Sequence, residues 1–196
     1  MKKLALIYSA TLLLLSGCGD KEKIDDNVVA KAAQTKHMEQ PSSFEYNLVT
    51  PSNNNIKLIQ SSKNVWSFGD IKNKVVMLDF FGTWCPPCKA EIPHLNHIRE
   101  NFGKDFEIIG VDIGKRGGGA NSSSDLISFI KQFSIKYPLV TGADNGNLFR
   151  AVSELNPSGS IPFMILFDKK GNYVTHYIGM VPEEMIVSDI KKALKN

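Results

Sequence analysis

The stretch VVMLDFFGTWCPPC, residues 75–88, constrains the fold more than any other part of the chain. Six of the seven residues from Val75 to Phe81 are apolar, and several are β-branched or aromatic, which fits a strand buried on both faces of a sheet. A short loop leads to Cys85, after which Ile92, Leu95, Ile98 and Phe102 recur at helical spacing. The pattern predicts a helix from Cys85 to about Phe102, kinked at Pro93, where a backbone donor is missing. A buried strand that runs directly into a helix is the start of an alternating α/β sheet.

The remaining pattern extends that alternation. FEYNLVT and NIKLIQ flank the turn-rich PSNNN and predict an N-terminal β-hairpin. FEIIGVDI (106–113) reads as a second buried strand. SSSDLISFIKQFS has a serine N-cap and apolar positions 126, 127, 130 and 133, hence a second helix, and NLFRAVSEL adds a short third one. PFMILF (162–167), the turn DKKGN and YVTHYIG (173–179) form a strand hairpin. PEEMIVSDIKKALK closes the chain as a helix, with acids in its first turn and lysines in its last. The order is β-α-β-α-β-β-α after the hairpin, an α/β sandwich with a central mixed sheet.

Residues 1–43 have a different character. MKK and the apolar LALIYSATLLLLS form a secretory-signal layout, with an apolar run of about 13 residues against the ~20 a permanent span needs. LSGC, residues 15–18, resembles the lipobox of bacterial lipoproteins, in which the cysteine is lipidated and becomes the first mature residue. The alternatives are an ordinary signal peptide cut nearby or a short membrane anchor. Residues 1–17 are thus expected to be a lipoprotein signal, 18–43 a lipidated Cys18 with a polar tether, and 44–196 the folded domain. A flexible coil of the tether's length extends roughly 25–30 Å. The whole chain has 23 basic and 20 acidic residues, and loss of Lys2 and Lys3 with the signal leaves a net charge of +1. Attachment would then come from lipid rather than charge. So small a charge, with no aromatic-laced basic patch, gives nucleic-acid binding no support.

Three cysteines are an odd number for an exported chain. If Cys18 carries lipid, Cys85 and Cys88 have only each other. A helix beginning at Cys85 aims its dipole and free N–H groups at that sulfur, which favours thiolate. Cys88, one turn deeper, is spaced to attack a mixed disulfide formed at Cys85. Pro86 and Pro87 suit a first turn, where no donor is needed. A zinc site would need two further ligands. His94 and His97 lie roughly 9 and 13 Å further along the helix axis from Cys88, against zinc–ligand bonds of about 2.0–2.3 Å, so no metal is expected and the two histidines read as a solvated face. A structural disulfide remains compatible with the spacing, but so short a loop contributes little as a staple.

LDFFGTWCPPCKAEIP is similar to the active-site segment of thioredoxin-like proteins, specifically TlpA/ResA-type thiol-disulfide oxidoreductases exported by bacteria. GSIPFMILFDKKGNYVTHYIG resembles the cis-proline loop and final hairpin of that family. The resemblance covers about residues 44–196. It implies a thioredoxin-like three-layer α/β sandwich with an N-terminal β-hairpin and a helical insert before the last strands. It also implies Cys85 as the attacking thiolate, Cys88 as the resolving one, Trp84 at the rim with Pro86 and Pro87, and Pro162 as a cis-proline facing the disulfide. The Ile161 backbone would then be free to pair with an extended substrate. Asp79 falls where thioredoxins keep a buried acid that assists proton movement, and Glu91 where many members of this branch carry an acid near the second thiol. Either, poorly solvated, would have a raised pKa and take the Cys88 proton. Glu91 is the preferred of the two; its alternative reading is an exposed first-turn acid, and that of Asp79 a polar pocket without a role.

The resemblance implies a reductant of exported proteins with cysteine pairs, apocytochrome c among them, recharged by a membrane electron-donor protein. It would work in the periplasm or otherwise outside the cytoplasmic membrane, with no prosthetic group beyond the Cys85–Cys88 disulfide. An oxidase or isomerase of secreted proteins is the second reading, because thioredoxin-fold potentials span about −270 to −120 mV. A Cu(I)-handling module is the third. The glycine-rich GKRGGGANSSS (114–124) lacks the ending of a phosphate loop and reads as a mobile loop bordering the substrate groove.

Overall fold

The structure, a computed structural model, describes residues 43–195. Cys18, the signal and all but the last residue of the tether lie outside them. The elements run β1 (Phe44–Val49), β2 (Asn55–Ser62), β3 (Val65–Phe68), β4 (Val75–Phe81), α1 (Pro86–Phe102), β5 (Phe106–Asp112), α2 (Ser123–Phe133), β6 (Leu139–Val140), α3 (Ala143–Ala151), β7 (Phe163–Phe167), β8 (Tyr173–Ile178) and α4 (Glu183–Ala193). A five-stranded sheet in the order β6-β5-β4-β7-β8 forms the centre. Its first three strands are parallel, β7 pairs antiparallel with β4, and β8 pairs antiparallel with β7. This is the expected mixed sheet.

Every residue of β4 is buried, because apolar layers cover both faces of the sheet. On one face Met77 and Phe81 pack with Ile92, Leu95 and Ile98 of α1, Leu126 and Phe129 of α2 and Ile190 of α4. On the other, Leu78 and Phe80 pack with Leu148 of α3 and with Leu58, Trp66 and Phe68 of the N-terminal strands. Those strands form a separate three-stranded sheet, β1-β2-β3, rather than the two-stranded hairpin the sequence predicts. The third strand, VWSF, has four residues with only Trp66 and Phe68 facing inward, too few to show as a period in sequence. The two-residue β6 escapes the sequence for the same reason.

One further expectation changes. In α2 the buried positions are Leu126 and Phe129, while Ile127 is 40% exposed and Ile130 and Phe133 are only partly covered. The stacking of Phe129 on Phe81, with centroids 5.7 Å apart, sets that rotation. The helix α1 keeps Pro93 inside it, where the sequence places a kink, and runs without interruption from Pro86 to Phe102. Pro93 lies on the exposed side of the helix, where water can hydrate the carbonyl that loses its donor.

Candidate active site

The site forms where β4 hands the chain to α1. Cys85 is the N-cap of α1, and its sulfur lies 3.3 Å from the Cys88 N–H. Pro86 and Pro87 occupy the first two helical positions, and the first turn has no acid beside the sulfur. Cys85 and Cys88 are joined in a disulfide, with Cα atoms 5.3 Å apart. Both are nearly covered, at 2% and 4% exposure, so a partner reaches the sulfurs only by fitting closely to the surrounding surface. Pro86 and Pro87 are exposed beside them.

The loop before β7 closes over the disulfide. Ile161–Pro162 is a cis peptide bond, and the Ile161 carbonyl oxygen lies 3.9 Å from Cys85 Sγ. Gly179 N–H donates to the Pro162 carbonyl at 2.8 Å, tying the segment after β8 to this loop. The ladder of β7 begins only at Phe163, so Pro162 belongs to the loop and not to the strand that the sequence pattern starts there.

Both predicted acids are buried. Asp79, at 4% exposure in the middle of β4, has an Oδ1 without a hydrogen-bond partner. Glu91, at 3% exposure on α1, has neither oxygen partnered, which excludes the exposed first-turn reading. Burial pushes the Asp79 carboxyl up to about 7. Burial, aided by the neighbouring Asp79 charge, pushes Glu91 up to about 8. The Val181 backbone N–H opposes that rise but stays outside hydrogen-bonding geometry. Asp79 and Cys88 share an enclosed space too small for a water molecule, lined also by Phe81, Phe129 and Tyr137. The acid in that space with Cys88 is thus Asp79, whereas sequence reasoning preferred Glu91.

Tyr137 is a member of the site that the sequence does not reveal. Its hydroxyl is held far above the ordinary phenol range by burial and by the charges of Asp79 and Glu91. Gly110 makes its place: it pairs with Asp79 across the β4–β5 ladder, and a Cβ there would run into Leu139 Cδ2 and lie 3.3 Å from the Tyr137 ring. The available signal was the lone glycine inside the strand FEIIGVD, a mark of close approach.

Trp84 is half-buried beside Cys85, with its Nε1–H donating to the Gly114 carbonyl at 2.8 Å. The 114–124 segment is organised at its base. Buried Asp112 receives Asn121 Nδ2–H on both oxygens, at 3.0 and 2.9 Å, and the Gly114 N–H at 3.2 Å. Asn121 also reaches Thr83 Oγ1 at 3.3 Å, beside Trp84. Hydrogen bonds therefore tie the loop, read as mobile from sequence, to the strand ends that carry the site. His94 and His97 both reach Glu183 at the start of α4, at 3.2 and 2.5 Å, and so clasp two helices rather than form a merely solvated face.

Among the described residues a cavity of about 420 Å³ lies against the opposite face of the central sheet, lined by Tyr46, Trp66, Ile165, Phe167 and Tyr173. It touches neither cysteine, and the buried carboxyls and the sulfurs place the chemistry on the α1 face.

Comparison with known proteins agrees with this arrangement. The thiol-disulfide oxidoreductase ResA of Bacillus cereus is 31% identical over 124 residues, 63% of this chain and 65% of the relative, so the match spans just under two thirds of that relative's length. A solved thiol:disulfide interchange protein of the thioredoxin family from Chlorobium tepidum superposes with a TM-score of 0.59 at 22% identity, covering 76% of this chain and 93% of the other. StoA from Bacillus subtilis gives 0.52 at 20% identity, covering 76% and 97%. These two likenesses establish the thioredoxin-like fold. The Redoxin family model matches residues 47–194, well over half of the chain, and the protein belongs to that family.

Proposed function

We propose that this protein is a thiol-disulfide oxidoreductase that reduces disulfides of exported proteins. The carrying observation is the Cys85–Cys88 disulfide at the N-terminus of α1, faced by the Ile161–Pro162 loop and backed by two buried, unpartnered carboxyl groups. The 31% identity to a protein named for this activity supports the reading. LSGC at residues 15–18 supports a lipid tether at Cys18, outside the cytoplasm. The family resemblance supports cysteine pairs such as those of apocytochrome c as one substrate class, and recharging by a membrane electron-donor protein.

The steps balance as a two-electron transfer. In the reduced protein the Cys85 thiolate, favoured by the helix dipole, attacks one sulfur of the substrate disulfide. That S–S bond breaks, the distal sulfur leaves as thiolate, and a Cys85–substrate disulfide forms. Cys88 then attacks Cys85 Sγ, expels the second substrate sulfur and leaves the Cys85–Cys88 disulfide. Cys88 must first lose its proton in a space that excludes water. Ionised Asp79 accepts it there, with Glu91 as the coupled neighbour that receives or holds a second proton. Carboxyls raised to about 7 and about 8 lie near the ordinary thiol range, where proton exchange in either direction is efficient. On recharging, the protonated acid returns the proton to departing Cys88.

The test is the reduction potential of the Cys85–Cys88 pair, equilibrated in glutathione or dithiothreitol buffers with Cys88→Ala as control. A value near or below about −250 mV is expected. A value of about −120 to −180 mV would make the protein an oxidant or isomerase, and absence of a reversible couple would remove the catalytic reading.

A further inference from the structure

The turn after β5 meets the rim of the site at Trp84, whose Nε1–H donates to the Gly114 carbonyl, and the reaction above leaves the turn's charges unused. Residues 114–119 read GKRGGG, with two cations and no acid. Gly114 has φ +91°, and a Cβ there would meet the Gly119 carbonyl. The turn is closed by Lys115 N–H to Gly119 O and by Gly118 N–H to Lys115 O, both 2.9 Å. Its base is held by Asp112 and Asn121. This frame sets the Arg116 guanidinium carbon 5.1 Å from the centroid of the Trp84 ring, on the residue preceding Cys85. Arg116 is exposed, and among the described residues it forms no ion pair. Lys115, from the same turn, acts instead on Asp125 at the start of α2.

We propose that Arg116 is a specificity-determining residue, selecting substrate segments that carry a carboxylate beside the reacting disulfide. The inference rests on the dithiol reading above. A guanidinium lying over an indole satisfies its face and keeps its N–H edge directed outward, ready for bidentate contact with a carboxylate. Asp79 and Glu91, the acids of the site, are buried and form no pair with this cation. Trp84, fixed by its bond to Gly114, carries the guanidinium on the residue that immediately precedes Cys85.

The experiment uses the full chain in its reduced form and three peptides, each with one internal disulfide, differing only in an Asp, Gln or Lys beside the cysteine. Second-order rate constants for oxidation of the protein are read by acid quench and alkylation. The Asp peptide is expected to react about two- to fivefold faster than the Gln peptide, as an exposed ion pair allows, with the Lys peptide slowest. The spread should narrow in about 0.5 M salt. Arg116→Gln should bring the three rates together and Arg116→Glu should reverse their order, whereas a merely structural role would scale all three rates alike. Equal rates in the unmodified protein, or a preference that survives Arg116→Gln, would overturn the proposal. Failure of every peptide to oxidise the dithiol would refute the dithiol reading, and this one with it.

Discussion

Replacing Glu91 by Gln should flatten the pH dependence of stability in a calculable way. Glu91 is raised from 4.5 to about 8 in the folded protein, so folding favours its protonated form. Below pH 4.5 both states carry the proton and the group contributes no slope. Between 4.5 and 8 the unfolded chain has released the proton while the folded one keeps it, and stability falls as pH rises. Each pH unit in that window costs about 1.4 kcal/mol, so the fall from pH 5.5 to 8 amounts to about 3 kcal/mol for this group. Urea denaturation of the disulfide-intact protein at several pH values measures it. Glu91→Gln should lose about 3 kcal/mol less than the unmodified protein over that range, while Asp79, raised to about 7, keeps a slope of its own. Titrating groups remote from Glu91 cancel in the comparison. Identical pH slopes in the two proteins would show that Glu91 is solvated and ionised, and would refute the dry site behind Cys88.

The rotation of α2 can be tested by contrast: Phe129→Ala should cost about 3–5 kcal/mol in urea denaturation, and Ile127→Ala less than about 0.5 kcal/mol. Gly110→Ala should destabilise by about 1–3 kcal/mol, because the new methyl displaces Leu139 and Tyr137. It should also alter the pH profile of Cys88 alkylation in the reduced protein, a readout that simple destabilisation leaves in place. Cys88→Ser should accumulate a stable mixed disulfide between Cys85 and a substrate peptide, detected by mass spectrometry under non-reducing conditions; an adduct at any other position would contradict the assignment of Cys85 as attacker.

The catalytic element was legible because its signals are local. Val75–Phe81 reads as a buried strand from composition alone, and Cys85 as a helix start from the prolines and the apolar spacing after it. The cis bond at Pro162 came from family resemblance, since nothing in the bare sequence distinguishes one proline isomer from the other. Short strands failed: β3 has two inward residues and β6 only two residues in all, and neither spans enough chain to show a period. The rotation of α2 failed because 126, 127, 130 and 133 and the set containing 129 both fit a helical stripe. Packing against Phe81 chose between them.

By itself, the sequence determined the order of the longer strands and helices, the placing of Cys85 and Cys88 one turn apart and the kind of chemistry their spacing permits, since each depends on neighbours along the chain. Only tertiary structure decided the surroundings of that pair. Asp79 and Glu91 are ordinary carboxylates in sequence and become weak acids because the packing around β4 and α1 buries them. Tyr137 joins them from 46 residues beyond Glu91, through a gap that Gly110 leaves open. Arg116 reaches Trp84 across a turn built on Asp112 and Asn121. Desolvation and charge proximity act through space, and the chain order of residues carries neither.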